Sequence, residues 1–451
     1  MSNLIFLIIL FALAVIYFIL GIYASRKTEN TTDYFLAGRK LGLLNVTFTL
    51  IATQLGGGML LGTSQKAYEI GLFGILYTIS ITLGFLFLGL GFASKLQELH
   101  ISTTAELFET KYQSITLRKF ASLLSIITLC GILIAQVIAS KAVLASIGID
   151  NNIIFILFWI FIISYTIIGG LNAVVITDTA QVLLIILVFG GIFIYNILLE
   201  PNIFNTMVTF TANQKNFIFN RSSFLDLLPI LIMPALFTLI EQDLAQKFFA
   251  SKSKKVAAIS SILAGSFMLI FALIPIYLGI KANLMGINIP ANASPLISIL
   301  KTSTNNIVFM FAVCGIIAAI TSTADSLLCA VSSNLSEDFN FSFLRITNKL
   351  KLAKYITAII GAFAIISSYF FTTDIINILV SSYELSVSCL FIPLVFSIYL
   401  KKPNKNSALL SIIFGLFSYI LLKMLNVPLH GVISVIISAI GFFIGNLLKP
   451  Q

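Results

Sequence analysis

IATQLGGGMLLG, residues Ile51 to Gly62, sets three consecutive glycines in the middle of an apolar run long enough to cross a bilayer. Glycine is about 1 kcal/mol worse than alanine inside a helix, and three together permit a break. Unwound backbone at membrane depth survives only beside protein or a watery cavity. A break here therefore calls for a bundle with a polar interior. The same triplet also fits a flat surface for close helix packing, so the rest of the chain has to be read with both possibilities in view.

Composition places that run in a membrane. Of 451 residues, 59% are hydrophobic and 10% charged, against about 25% charged in soluble domains. Mean hydropathy is +1.05. Too few polar side chains exist to coat a soluble globule, which excludes a cytosolic enzyme, a disordered chain and a nucleic-acid binder. The net charge of +10 reflects scarce acids rather than a basic patch. Cys130, Cys314, Cys329 and Cys389 lie inside apolar runs without CxxC spacing, so no disulfide framework or zinc site is implied. Two histidines, His100 and His430, leave little for metal chemistry, and no cofactor is expected.

A bilayer core takes about 20 apolar residues per helix. Leu4 to Tyr23 carries no charge, has no basic segment before it and lacks a cleavage pattern, so it reads as a retained helix. Further spans run at roughly 42–66, 72–94, 120–146, 152–168, 174–198, 224–241, 256–280, 306–333, 354–371, 375–399, 407–426 and 431–448. These runs far exceed the ~10 residues of a barrel strand. The expected fold is an all-α polytopic membrane protein with thirteen transmembrane helices.

Loop charge orients it. With the N-terminus outside, the inside loops hold five sets of four basic residues: Arg26, Lys27, Arg39 and Lys40; Lys95, Lys111, Arg118 and Lys119; Lys247, Lys252, Lys254 and Lys255; Arg345, Lys349, Lys351 and Lys354; and Lys401, Lys402, Lys405 and Lys449. The positive-inside rule then gives N-out, C-in. Lys66 and Lys141 fall near outer span ends and can snorkel.

Span seven is the second irregular one, because Pro229 and Pro234 each remove a helix donor. Interrupted spans at matching places in two halves point to a transporter binding site. Spans two to six and seven to eleven give five plus five, and an odd number starts the second set on the opposite side, as an inverted repeat requires. The whole chain reads as one membrane domain: a leading helix and loop (1–41), a first repeat (42–199), a second repeat (224–400) and two trailing helices (405–451). The prolines also fit ordinary kinks.

Ionisable groups inside a bilayer are costly and usually functional. In AAITSTADSLL, Ala318 to Leu328, the adjacent hydroxyls of Ser322 and Thr323 precede Asp325. Hydroxyls with free carbonyls, here near Ala52 and Leu55, make a hard-oxygen cage suited to an alkali cation. The same hydroxyls also fit back-bonding to their own helix. Asp178 sits at the start of span six, where either the helix dipole or an ion path accounts for it. Glu241 reads as a gate or an interfacial acid, and Asp243 as a solvated interfacial charge. Glu384 lies near the middle of span eleven and needs a cation, a partner or a proton. It hints at a solute with an ammonium group. Tyr77, Thr78 and Phe237 fit either a cavity lining or packing.

Four segments resemble motifs of the sodium:solute symporter family, in that family's order: DYFLAGRKLG (Asp33 to Gly42), GGLNAVVITDTAQ (Gly169 to Gln181), EQDLAQKFFASKS (Glu241 to Ser253), and AAITSTADSLL followed by SSNLSEDF (Ser332 to Phe339). The resemblance implies a leucine-transporter-like fold, with one helix leading and two trailing the repeats. It implies a sodium site from the Ala52, Leu55 and Ala319 carbonyls and the Ser322 and Thr323 hydroxyls, and an ion exit path at Asp178. It puts the substrate region at Gln54, Gly57, Gly58 and Met59, at Thr78 and at Phe237 as an aromatic gate. Gln54 stands where the proline branch has an aspartate, and Met59 where the sugar branch has a glutamine. Glu241 and Glu384 join the substrate region as this chain's own acids. The expected function is sodium-coupled uptake of a small organic solute across a bacterial inner membrane. The alternative is a proton-coupled carrier using Asp325 or Glu384. No enzyme activity is expected.

Overall fold

A computed structural model of the chain describes residues 2–26, 28–213, 221–289, 294–342, 346, 348–371, 375–401 and 403–448. Among them the secondary structure is helical, and the lone β-bridge joins Leu41 to Ser251. Among the described residues, eleven helices are long and apolar enough to cross a membrane. Their outward faces carry large bare side chains such as Phe11, Leu90, Ile270 and Phe417. Such a belt costs nothing in lipid and would be a liability in water.

Polar caps set where many helices begin. The Ser114, Asn151, Asn305 and Asn404 side chains each accept a backbone N–H in the first turn of the helix that follows. The Ser114 cap starts its helix at Ile115, five residues before the expected boundary, and so draws Arg118 into the bundle. Arg118 is no loop charge. It pairs with Asp338 at 2.8 Å and Glu109 at 2.6 Å, and donates to the Glu337 carbonyl.

The expected fifth and sixth spans are one run of 48 residues, Asn152–Leu199. At 1.5 Å per residue that is about 72 Å, more than twice a bilayer core. The run is broken at Gly170, with φ 56° and ψ −143°. A Cβ there would fall inside the Tyr34 carbonyl, so only glycine fits.

Two further interruptions among the described residues bear on the site. Leu43–Gln54 ends at Leu55, and helical turns resume at Gly57. Arg221–Thr238 ends in the turn Leu239–Ile240, and after an extended Glu241 a helix of nine residues, Gln242–Ala250, follows. The second break is not where the prolines predict. Pro229 and Pro234 both lie inside Arg221–Thr238. Neighbours absorb the disruption around Pro234: the Ser80 hydroxyl accepts the Ala235 N–H at 2.8 Å, and Thr238 donates to the Pro234 carbonyl at 2.7 Å.

The nine-residue helix corrects two further expectations. Every residue of Gln242–Ala250 is buried. Asp243 is therefore not solvated and Lys247 is not a loop charge; each is 1% exposed. The chain turns inward after the break because its partners lie there. Arg39 donates to the Phe249 carbonyl, Gln246 to the Phe35 carbonyl, and Gln242 accepts the Thr104 N–H. These contacts, with Asn172 bonded to the Asp33 carbonyl at 3.0 Å, bring the segments 33–42, 169–181 and 241–253 together.

Candidate functional site

The site begins with orphaned backbone. A helix leaves its last four carbonyls without partners. In Leu43–Gln54 these include Ala52 and Thr53. In a continuous helix Thr53 would accept from Gly57, but the Gly57 N–H donates instead to Gln136 Oε1 at 3.1 Å. Met59 and Leu60 both donate to the Gly56 carbonyl, which closes the turn after the break. The freed carbonyls face the Asn306–Asp338 helix. Ser322 donates to the Ala52 carbonyl at 3.0 Å, and Thr323 to the Thr53 carbonyl at 2.9 Å. Both hydroxyls also reach the Ala319 carbonyl, at 3.0 and 3.2 Å.

Glycine makes this approach possible. A Cβ on Gly56 would come within 2.5 Å of Thr323 Oγ1, and one on Gly57 within 3.3 Å of Ala139. The packing and break readings of the triplet thus coincide: the glycines are packed closely because the chain is broken there. The structure brings Ala52, Ala319, Ser322 and Thr323 together. Leu55 is buried at the helix end, and the carbonyl that meets Thr323 is Thr53's.

A second polar group adjoins the first. The Asp178 carboxylate accepts from the Thr49 hydroxyl. Asp178 is fully buried about two turns beyond the Gly170 reversal, which sets it apart from a charge at a helix tip. Asp325 is fully buried and accepts from the Tyr165 hydroxyl at 2.7 Å. The Lys247 ammonium donates to Thr53 Oγ1 at 2.5 Å and to Ser326 Oγ at 3.1 Å.

On the other side of the break, Gln54 donates to Glu241 Oε2 at 2.9 Å, which links the two interrupted helices directly. Phe237 stacks on Tyr383 with ring centroids 4.7 Å apart, and the Tyr383 hydroxyl lies 3.2 Å from that of Tyr77. Gly58 and Tyr77 line a cavity of about 40 Å³ together with Thr63, Leu227 and Leu379. That is room for a few water molecules. Met59 and Thr78 are buried, and the Thr78 hydroxyl has no hydrogen-bond partner.

Glu384 stands apart from this group. Its carboxylate lies 3.0 Å from His430 Nε2 and against Gly431, on the His430–Leu447 helix. The partner that its burial demands is a histidine, and the residue turned to Phe237 is the adjacent Tyr383. Sequence reasoning missed Thr53, Gln136, Lys247, Ser326 and Tyr383. Gln136 alone carried a visible signal, as an amide inside the apolar run GILIAQVIAS. Among the described residues, no group of three or more His, Cys, Asp or Glu side chains is arranged to hold a metal.

Comparison with known proteins agrees with this architecture. The sodium:solute symporter family profile matches residues 34–415. The sodium/pantothenate symporter of Escherichia coli K12 is 24% identical over 97% of this chain and 95% of its own. A high-affinity choline transporter of Caenorhabditis elegans is 30% identical over 40% of this chain, and that match covers 33% of the transporter's length. Among solved structures, a Na+-coupled sialic acid symporter in a substrate-bound outward-open state superposes with a TM-score of 0.84, at 20% identity, over 99% of this chain and 98% of its own. Mhp1, a nucleobase-cation-symport-1 family transporter, gives 0.54 at 12% identity, over 91% of this chain and 93% of its own.

Proposed function

Because the chain belongs to the sodium:solute symporter family, we propose that it carries a small organic solute inward with sodium by alternating access, and that sodium binds between Leu43–Gln54 and Asn306–Asp338. The observation that carries this is the pair of hydroxyls, Ser322 and Thr323, seated on main-chain oxygens freed at a helix end. Oxygen donors of that kind suit a hard monovalent cation. The ligands are the Ala52, Leu55 and Ala319 carbonyls with the two hydroxyls, and the Thr53 carbonyl supports them. When sodium arrives, the hydroxyl protons turn away from the carbonyls they now contact, and the oxygens share the ion.

Thirteen crossings form the fold on this reading. Leu43–Gln54 and the turns after it make one crossing, the stretch up to Glu98 makes another, and Gly170 divides Asn152–Leu199 into two. Five-plus-five inverted repeats follow, with helices two and seven broken at Leu55–Gly57 and Leu239–Glu241. The N-terminus lies outside and the C-terminus inside, in a bacterial inner membrane.

The solute binds beside the first break, against Gln54, Gly57, Gly58, Met59, Thr78, Phe237 and Glu241. The Phe237–Tyr383 stack closes over it. Solute and sodium shift an equilibrium between outward and inward states only by their differential affinity for the two. Sodium leaves past Asp178. The membrane potential adds ~2.3 kcal/mol per charge per 100 mV.

A thermal-shift screen of purified protein against amino acids, amines, carboxylates and vitamins, each with and without sodium, identifies the solute. Uptake of that solute into proteoliposomes should then require external sodium. Equal uptake in potassium overturns the proposal. Uptake driven by a pH gradient without sodium would transfer the coupling role to a proton carrier. Asp325, whose Oδ1 has no hydrogen-bond partner, would then be the first candidate. Glu384, already paired with His430, would be the second.

A further inference from the structure

Lys247 is 1% exposed, in a helix buried along its whole length. Its ammonium has three donors, and three oxygens meet it: Thr53 Oγ1 at 2.5 Å, Ser326 Oγ at 3.1 Å and the Asp243 carbonyl at 3.1 Å. The two hydroxyls are themselves 3.1 Å apart. Among the described residues no carboxylate forms an ion pair with this ammonium. Four buried acids act on its charge from further out: Asp178, Asp243, Asp325 and Glu241. Asp178, Asp243 and Asp325 each keep one oxygen without a hydrogen-bond partner. Neutral oxygens in contact, with carboxyl groups behind them, are a coordination shell suited to a monovalent cation. A buried salt bridge would instead bring the carboxylates into contact.

This cage shares a wall with the proposed sodium site. Thr53 turns its carbonyl to Thr323 in one cage and its hydroxyl to Lys247 in the other. Ser326 lies one helical turn beyond Ser322. Two cation positions therefore lie side by side along the same two helices, and one is filled by a side chain.

We propose that Thr53, Ser326 and the Asp243 carbonyl form a second monovalent-cation site, occupied by the tethered ammonium of Lys247, and that this resident charge limits the protein to one sodium ion. The inference rests on the sodium-coupled reading above. Removing the ammonium leaves hard oxygens beside carboxyl groups that keep unpartnered oxygens, and a second sodium ion fills that space.

The test is equilibrium binding of radioactive sodium to the purified full-length chain, which needs no knowledge of the solute. Wild type should bind one sodium per chain, and Lys247→Ala and Lys247→Met should each bind two. Adding Ser326→Ala to Lys247→Ala should return the count to one. Lys247→Arg, which keeps the charge, should stay at one. A count of one in folded Lys247→Ala or Lys247→Met overturns the inference while leaving sodium coupling intact. Failure of both variants to fold in high sodium overturns it too, because sodium then cannot replace the ammonium. Absence of sodium binding in wild type counts against the sodium-coupled reading itself.

Discussion

The two interrupted helices reach similar shapes by opposite means. At Leu55–Gly57 side chains are missing, and a neighbour reaches in: Gln136 takes the Gly57 N–H that would have continued the helix. At Leu239–Glu241 there is no glycine, and the chain's own side chains reach out. Glu241 accepts from Gln54, and Gln242 accepts the Thr104 N–H. The first break is made by what the backbone can do without side chains, and the second by where buried polar groups find partners. Gly56 and Gly57 can be read locally; Glu241 cannot, because its partner Gln54 lies 187 residues away along the chain.

That contrast can be broken at several points. The largest effect should come from Gly56→Val, whose Cβ would collide with Thr323 Oγ1. Overpacking at roughly 3 kcal/mol corresponds to about a hundredfold in an equilibrium, so sodium-dependent uptake should all but vanish in proteoliposomes. Thr323→Ala removes one cage oxygen and leaves the break intact. Losing a hydrogen bond or ligand to a charged group costs about 1.5 kcal/mol or more, so the sodium concentration for half-maximal uptake should rise roughly tenfold. An unchanged sodium dependence would take Thr323 out of the site.

Gln136→Leu leaves the Gly57 N–H without its acceptor, at a cost of about 1–3 kcal/mol. It should lower the melting temperature measured without sodium, and sodium should restore less than it does in wild type. The smallest effect belongs to Pro234→Ala. The helix already runs through that position and neighbours bond the backbone around it, so uptake should stay close to wild type. A collapse of uptake in Pro234→Ala would mean that the second break depends on proline after all.

Much of the fold is legible because bilayer thickness is a blunt ruler: an apolar run of the right length has few other destinations. The nearness of Ser322 and Thr323 to the weak helix is legible, but which partner they take is not: the structure has both the bonds across to Ala52 and Thr53 and the back-bonds to Ala319 that the sequence leaves open. Lys247 is not legible. Counting positive charge treats every lysine in a short polar stretch as solvated, and nine buried residues are too few for periodicity to contradict that. The prolines mislead because sequence displays the missing donor but not Ser80, 155 positions away, which repairs the damage. Glu384 misleads by one position. A helix turns about 100° per residue, so Tyr383 meets Phe237 while the adjacent Glu384 meets His430.

The bridge between Leu41 and Ser251 has a mechanical consequence. Leu41 donates to the Ala250 carbonyl at 3.1 Å, and Lys252 donates back to the Leu41 carbonyl at 3.0 Å. A two-way rung of this sort holds only while its strands stay in step. The segment leading into Leu43–Gln54 and the segment leaving Gln242–Ala250 can swivel as a coupled pair but cannot slide past one another. Any motion of one of these segments must therefore carry the other along as one piece, or break the rung first.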